Sequence, residues 1–267
     1  DKKLEITADG QIKINKVQGK GIDIKGKEYE QKDLAYSDEG ISIKADKIKL
    51  SGTGTQANKQ INLNGIVENS ATIYTKEGIK TKALTNTGVV QATNKIEVEG
   101  NLTNNGEILT LDDINIKENT LNTGDILTNG AFSSKDVKND KVISVSKDIN
   151  VAKLENSGKV STAKNLNIDG SLTNSGNIQA IENITATNNV LNKGTILTNA
   201  SFTSKDIKNE KELSANKDIS VSKLENSGNV VTNSKINING ILTNSGEVKA
   251  LDNITTTGNT INNGSIL

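Results

Sequence analysis

Between Val67 and Leu267 the sequence repeats one phrase, apolar-x-Asn-x-Gly-x-apolar, and successive copies lie 17 or 18 positions apart, as Asn69 to Asn86 and Asn86 to Asn104. Its asparagines are Asn69, Asn86, Asn104, Asn122, Asn139, Asn156, Asn174, Asn192, Asn209, Asn226, Asn244 and Asn262. A short fixed period of this kind marks a solenoid, because one unit cannot bury its own face and must stack on its neighbours. Within a unit the apolar residues alternate, as at Val160/Thr162 and Leu166/Ile168, and short polar stretches such as Asp169-Gly170-Ser171 separate the pairs. Alternation with period two is a strand signal, and no window sustains the spacing of three and four that a helix needs.

Short strands at this period leave no room for crossover helices, so each strand must pair in parallel with its counterpart one rung later. The expected fold is therefore all-β: a right-handed parallel β-helix of 17–18-residue rungs stacked about 4.8 Å apart. Residues 67–267 make about twelve such rungs. Residues 1–66 lose the beat, although pairs such as Ile22/Ile24 and Ile41/Ile43 persist. They read as irregular β-helical rungs or a small β region, with longer loops at Gly26–Glu39 and Ser51–Gln60.

The recurring Asn suits a ladder of side-chain amides along the stack. Gly follows two residues later in nine of the twelve units, the exceptions being Ala71, Lys141 and Lys211, which suggests a backbone position with positive φ. Phe132 and Phe202 fall where other rungs have Leu or Ile, and are expected in the core. A second period overlies the first. Segments 120–169 and 190–239 agree at 29 of 50 positions, and the offset from 120 to 190 equals four rungs. Growth by duplicated blocks fits a protein whose useful property is length.

Composition narrows the functions. With 32 Lys, no Arg and 32 acids the net charge is zero, which gives no electrostatic case for nucleic acid or an anionic membrane. No apolar run is long enough for a membrane span, which takes roughly 18 residues or more. The absence of Cys and His removes disulfides, thiolate metal sites and the Ser-His and Cys-His nucleophile arrangements. Asp112-Asp113 is the only adjacent Asp pair and reads as a solvated turn rather than half of a glycosidase carboxylate pair. Ser134-Lys135 and Ser204-Lys205 recur, but neighbours on a strand point apart. The Lys-Asp pairs 135/136, 147/148, 205/206 and 217/218 are expected to form neutralised surface rows. Asn-x-Ser/Thr sequons, such as those at Asn101, Asn183, Asn199 and Asn253, are no more than an Asn-rich chain supplies by chance. No catalytic, cofactor or metal residues are assigned.

The phrase Leu102-Thr103-Asn104-Asn105-Gly106-Glu107-Ile108, and again Leu172-Thr173-Asn174-Ser175-Gly176-Asn177-Ile178, resembles the haemagglutinin repeat of filamentous-haemagglutinin-type proteins. The resemblance covers roughly residues 67–267. It implies a secreted bacterial surface protein, exported by two-partner secretion through an outer-membrane transporter, that is an adhesin or the stick-like carrier of a contact-dependent growth inhibition toxin. It also implies a receptor on a target bacterial or host cell. On this reading the chain is a piece of the non-catalytic shaft. Two alternatives stand beside it: the loops of residues 1–66 as the receptor-binding part, and a polysaccharide-degrading or tailspike-type β-helical enzyme.

Overall fold

The structure, a computed structural model, describes residues 2–267. Among the described residues every element is a strand, and the chain is a parallel β-solenoid. It divides into two compact units, the first ending at Lys135 and the second running from Asp136 to Leu267. Each unit is built from the same turn. A facing strand such as Val89–Ala92 leads through a corner to a first arm, Ile96–Val98, then through another corner to a second arm, Leu102–Asn104. The Asn corner returns the chain to the next facing strand, Glu107–Thr110. The first unit has seven facing strands and the second eight, so the turns number about fifteen.

Successive turns pair in parallel and in register. In the first unit Val89–Ala92 lies against Glu107–Thr110 residue for residue, and Leu102–Asn104 against Thr120–Asn122. In the second, Lys159–Thr162 pairs with Asn177–Ala180 and Leu172–Asn174 with Val190–Asn192. Register keeps like residues in columns. Ile61, Ile79, Ile96, Ile114 and Phe132 form one inward column of the first unit, each at most 1% exposed. In the second unit Phe202 lies between Ile184 and Ile219, all three fully buried. Each such side chain contributes about 1.5–3 kcal/mol on burial, and stacking is what completes that burial. Both Phe side chains are thus core, as the sequence predicts.

The alternation of shorter and longer turns has one location. Between the two arms, long turns insert three residues, as at Glu99-Gly100-Asn101 and Asp169-Gly170-Ser171. Short turns insert two, as at Lys82-Ala83 and Ala152-Lys153, and there the arms join as one eight-residue strand. Strand registers on either side are unaffected: Ile79 pairs with Ile96 before the corner, and Leu84 with Leu102, one position further on, after it.

The early residues carry more regular structure than their sequence suggests. The segments expected as loops hold the strands Glu28–Gln31, Leu34–Ser37 and Gly54–Ala57, all paired in parallel. Their corners are made by other side chains. Gln31 sits in the column that Asn69 and Asn86 continue, through Leu50, and its Nε2 donates to the Gly54 carbonyl at 2.8 Å. Its Oε1 accepts from the Tyr29 hydroxyl at 3.2 Å and the Thr55 hydroxyl at 3.0 Å. A Gln in place of Asn hides the period without abolishing the turn. The strand Ile61–Asn69 runs through 66/67, pairing with Ile41–Leu50 on one side and Ile79–Asn86 on the other.

The glycine two residues after nine of the twelve Asn has a different cause from the one its sequence suggests. Positive φ occurs only at Gly52 and Gly54 among the described residues. The repeat glycines instead relieve close approach between turns. A Cβ on Gly106 would lie 2.1 Å from the Gly88 carbonyl oxygen, and one on Gly176 would lie 2.1 Å from that of Gly158.

Candidate functional site

The recurring asparagines form hydrogen-bonded ladders inside each unit. In the first, Asn69 Nδ2 donates to Asn86 Oδ1 at 2.8 Å, Asn86 to Asn104 at 2.9 Å and Asn104 to Asn122 at 2.9 Å. In the second the chain of donations runs Asn139, Asn156, Asn174, Asn192, Asn209, Asn226, Asn244, Asn262, with distances of 2.7–2.9 Å. Side-chain amides stack this way because every Asn closes the second arm at the same register position.

Each amide also clamps its corner. Asn104 Nδ2 donates to the carbonyl of Gly106 at 3.2 Å in its own turn and to that of Asp125 at 3.1 Å in the next. Asn192 Oδ1 accepts the Gly194 N–H at 3.2 Å. A carboxamide has two donors and one acceptor oxygen, and these bonds fill both. From Asn69 to Asn244 the ladder residues are at most 3% exposed. They have neither access nor capacity for a ligand. Their work is to satisfy buried corner carbonyls and N–H groups that would otherwise cost about 1–3 kcal/mol each.

A second ladder is not apparent in the sequence. Thr75, Thr110 and Thr128 in the first unit, and Thr162, Thr198 and Thr232 in the second, are buried at the end of the facing strand. Thr162 Oγ1 donates to the Lys147 carbonyl and accepts the Lys164 N–H at 3.1 Å, and Thr198 repeats this with the Glu182 carbonyl and the Ala200 N–H. Ala180 and Ala215 take the same column in intervening turns. Because Thr shares the column with Ala and, at residue 145, Val, the position looks merely small in the sequence; only the register shows its hydroxyl reaching back one turn.

The corner before the first arm holds a third, partly exposed set. Asp148 Oδ1 accepts the Asn165 N–H at 2.9 Å, Asn165 Oδ1 the Asn183 N–H at 3.1 Å, and Asn183 Oδ1 the Ser201 N–H at 3.2 Å. Asp218 accepts from the Ser234 hydroxyl at 2.6 Å and from the Lys235 N–H at 3.3 Å. Those bonds, the Ser234 hydroxyl first, hold its carboxyl below the ordinary value of 3.8. Asp148 and Asp218 therefore serve the next turn's backbone or hydroxyls, rather than simply neutralising a row of lysines. The ion pairs of the second unit lie elsewhere, as between Lys164 and Glu182 at 2.6 Å or Lys223 and Glu225 at 2.5 Å.

The residues weighed for chemistry stay apart. Asp113 Oδ1 accepts the Ala131 N–H at 2.8 Å. Ser134 points inward, bonded to Thr120 at 2.8 Å and to the Glu118 carbonyl at 2.9 Å, while Lys135 points out to Glu118. Ser204 is likewise buried. Among the described residues, no group of three or more Asp and Glu is placed to hold a metal ion, and no helix is long and apolar enough to cross a membrane. Exposed large apolar side chains recur at one corner position, Leu111, Ile181 and Leu251, at the spacing of the duplicated blocks.

Comparison with known proteins finds no protein family, no curated protein and no solved structure that matches the chain.

Proposed function

We propose that this chain is a non-catalytic extracellular shaft segment of an exported bacterial surface protein, either an adhesin or a contact-dependent toxin carrier. Its role is to hold a binding or toxic module away from the cell. Export would use an outer-membrane transporter partner, and contact would be made with a receptor on a bacterial or host cell. The observation that carries this reading is the turn itself. Its buried Asn and Thr side chains are used up in bonds to neighbouring turns, and the one-residue difference between its 17- and 18-residue forms sits at a corner where the strands on either side keep their pairing. Such a turn can be added in any number. The resemblance of Leu102–Ile108 and Leu172–Ile178 to the haemagglutinin repeat supplies the class of protein.

The test is to remove one block. Deleting residues 172–241 joins Ser171 to Leu242, which occupies the register position of Leu172 four turns later. Small-angle scattering should show the particle shortened by about 19 Å, four turns of about 4.8 Å, with the strand circular dichroism kept. A collapsed chain, or one unchanged in length, would overturn the reading, as would hydrolysis of a polysaccharide by the intact chain.

A further inference from the structure

The outward face of the first arm differs from the rest of the first unit's surface. Three neighbouring depressions of about 390, 340 and 370 Å³ run along it across successive turns. The first two share Asp23, Ser42 and Asn62, and the last two share Lys80 and Glu99. The central one has a floor of Ser42 and Asn62, with Lys25, Lys44 and Asn64 in one register column beside it and Lys82 completing that wall.

Two features set this groove apart. Charge columns in a parallel stack place like groups about 4.8 Å apart, so same-sign neighbours repel. The second arm avoids this by alternation: Lys13, Glu30, Lys49 and Glu68 form one column, with Lys13 and Glu30 3.5 Å apart. The groove wall does not. Lys25 directly faces Lys44; Lys25 leans to Asp23 at 3.9 Å, while Lys44 and Lys82 form no ion pair among the described residues. Second, the floor is hydroxyl and amide, with no aromatic or large exposed apolar side chain among the lining residues. The groove thus has cationic donors without an ion-pair partner and neutral polar groups in a line.

We propose that this groove binds a linear, carboxylate-bearing polysaccharide of the polyuronate class. The chain lies along the stack, with its carboxylates against Lys44 and Lys82. Its hydroxyls exchange hydrogen bonds with Ser42 and Asn62. An acidic peptide would satisfy the lysines but brings few hydroxyls for Ser42 and Asn62, and its apolar side chains would find no pocket. A neutral glycan would leave the two ammonium groups unmet. The proposal stands whether or not the chain serves as a shaft, since a spacer can carry a lateral binding groove.

The experiment is calorimetry on the full chain with three probes of matched length: oligogalacturonate, its carboxyl-reduced neutral counterpart, and poly-glutamate. Dextran sulfate serves as a general polyanion. Oligogalacturonate should bind, with affinity falling as salt rises, and the neutral oligomer should not. The double variant K44Q/K82Q should weaken binding about tenfold or more, whereas K205Q/K217Q in the second unit should leave it unchanged. Lys44 and Lys82 are exposed, so the variant should keep the wild-type circular dichroism and melting curve. Unchanged affinity in K44Q/K82Q would overturn the proposal. So would equal binding of poly-glutamate or dextran sulfate, or equal loss in the second-unit variant, each of which would mean unspecific charge attraction.

Discussion

Asn156 Nδ2 donates to Asn174 Oδ1 at 2.9 Å, and the same nitrogen reaches the Gly158 carbonyl at 3.1 Å. One side chain therefore fastens a corner to itself and to its successor. Replacing Asn174 by Leu, close in volume, removes an acceptor from Asn156 and three bonds of its own, including that to the Thr195 carbonyl at 3.1 Å. The expected cost is about 2–5 kcal/mol, from buried groups left unsatisfied at about 1–3 kcal/mol each. Asn262→Leu, at an exposed position, should change stability by no more than about 0.5 kcal/mol. Urea unfolding of the two variants checks the contrast, and equal effects would contradict the ladder's role.

Gly176→Ala tests close approach between turns. Its Cβ would meet the Gly158 carbonyl oxygen at 2.1 Å and the Ser157 carbonyl oxygen at 2.5 Å, with only backbone available to move. A loss of about 1–3 kcal/mol is expected, the usual cost of overpacking. Gly10→Ala, where nothing lies within 4 Å, should be nearly neutral. Thermal melts of both variants decide the matter; a neutral Gly176→Ala would return the cause to composition alone.

The pH dependence has a sign on each side. The Asp218 carboxyl is held below 3.8 by the Ser234 hydroxyl and the Lys235 N–H, and the Glu97, Glu99 and Glu210 carboxyls lie below 4.5 chiefly through their Lys hydrogen bonds. Their contributions are complete above the unfolded pKa values and are lost as pH falls through the lower folded ones. Lys153, Lys164, Lys208 and Lys223 are raised above 10.5 by their Glu partners, so their contributions hold below that value and disappear as pH rises past it. Denaturant midpoints should therefore be flat through neutrality and fall below about pH 4 and above about pH 10.5. Asp218→Asn keeps an acceptor oxygen, and should flatten the acid limb while leaving the midpoint at pH 7 nearly unchanged.

The corner between the arms should accept length changes that strands refuse. One Gly inserted between Ala152 and Lys153 turns a two-residue link into the three-residue kind found at Asp169-Gly170-Ser171. The expected change in melting temperature is small. The same insertion between Val160 and Ser161 would turn Thr162 outward and break its bond to the Lys147 carbonyl, so a large drop is expected. Equal drops would refute the assignment of the variable residue to the corner.

Much of this was legible in the residues because one column of the turn is nearly invariant. Asn at a strand end, followed by a tight corner, writes its period into the sequence, and the apolar alternation around it gives strands and their inward faces. What could not be read depended on neighbours one turn away. The clash that excludes a Cβ at Gly106 involves the carbonyl of Gly88, a contact one full turn back along the chain. The reach of the Thr198 hydroxyl to the Glu182 carbonyl likewise exists only once the register is known. Gln31 stood in for Asn and disguised the early turns as loops. The groove beside Lys44 was invisible for a related reason, since its wall is assembled from residues 25, 44, 64 and 82, each from a different turn.

The hydrogen bonds that join one turn to the next run along the stack, and the amide of each Asn spans a single interval. A pull on the chain would therefore not load the structure as a whole. It would release one turn at a time, each giving up about 60 Å of slack chain before the next began to yield. Under tension such a protein behaves as a shock absorber, spending force in equal instalments while the turns behind the break stay folded.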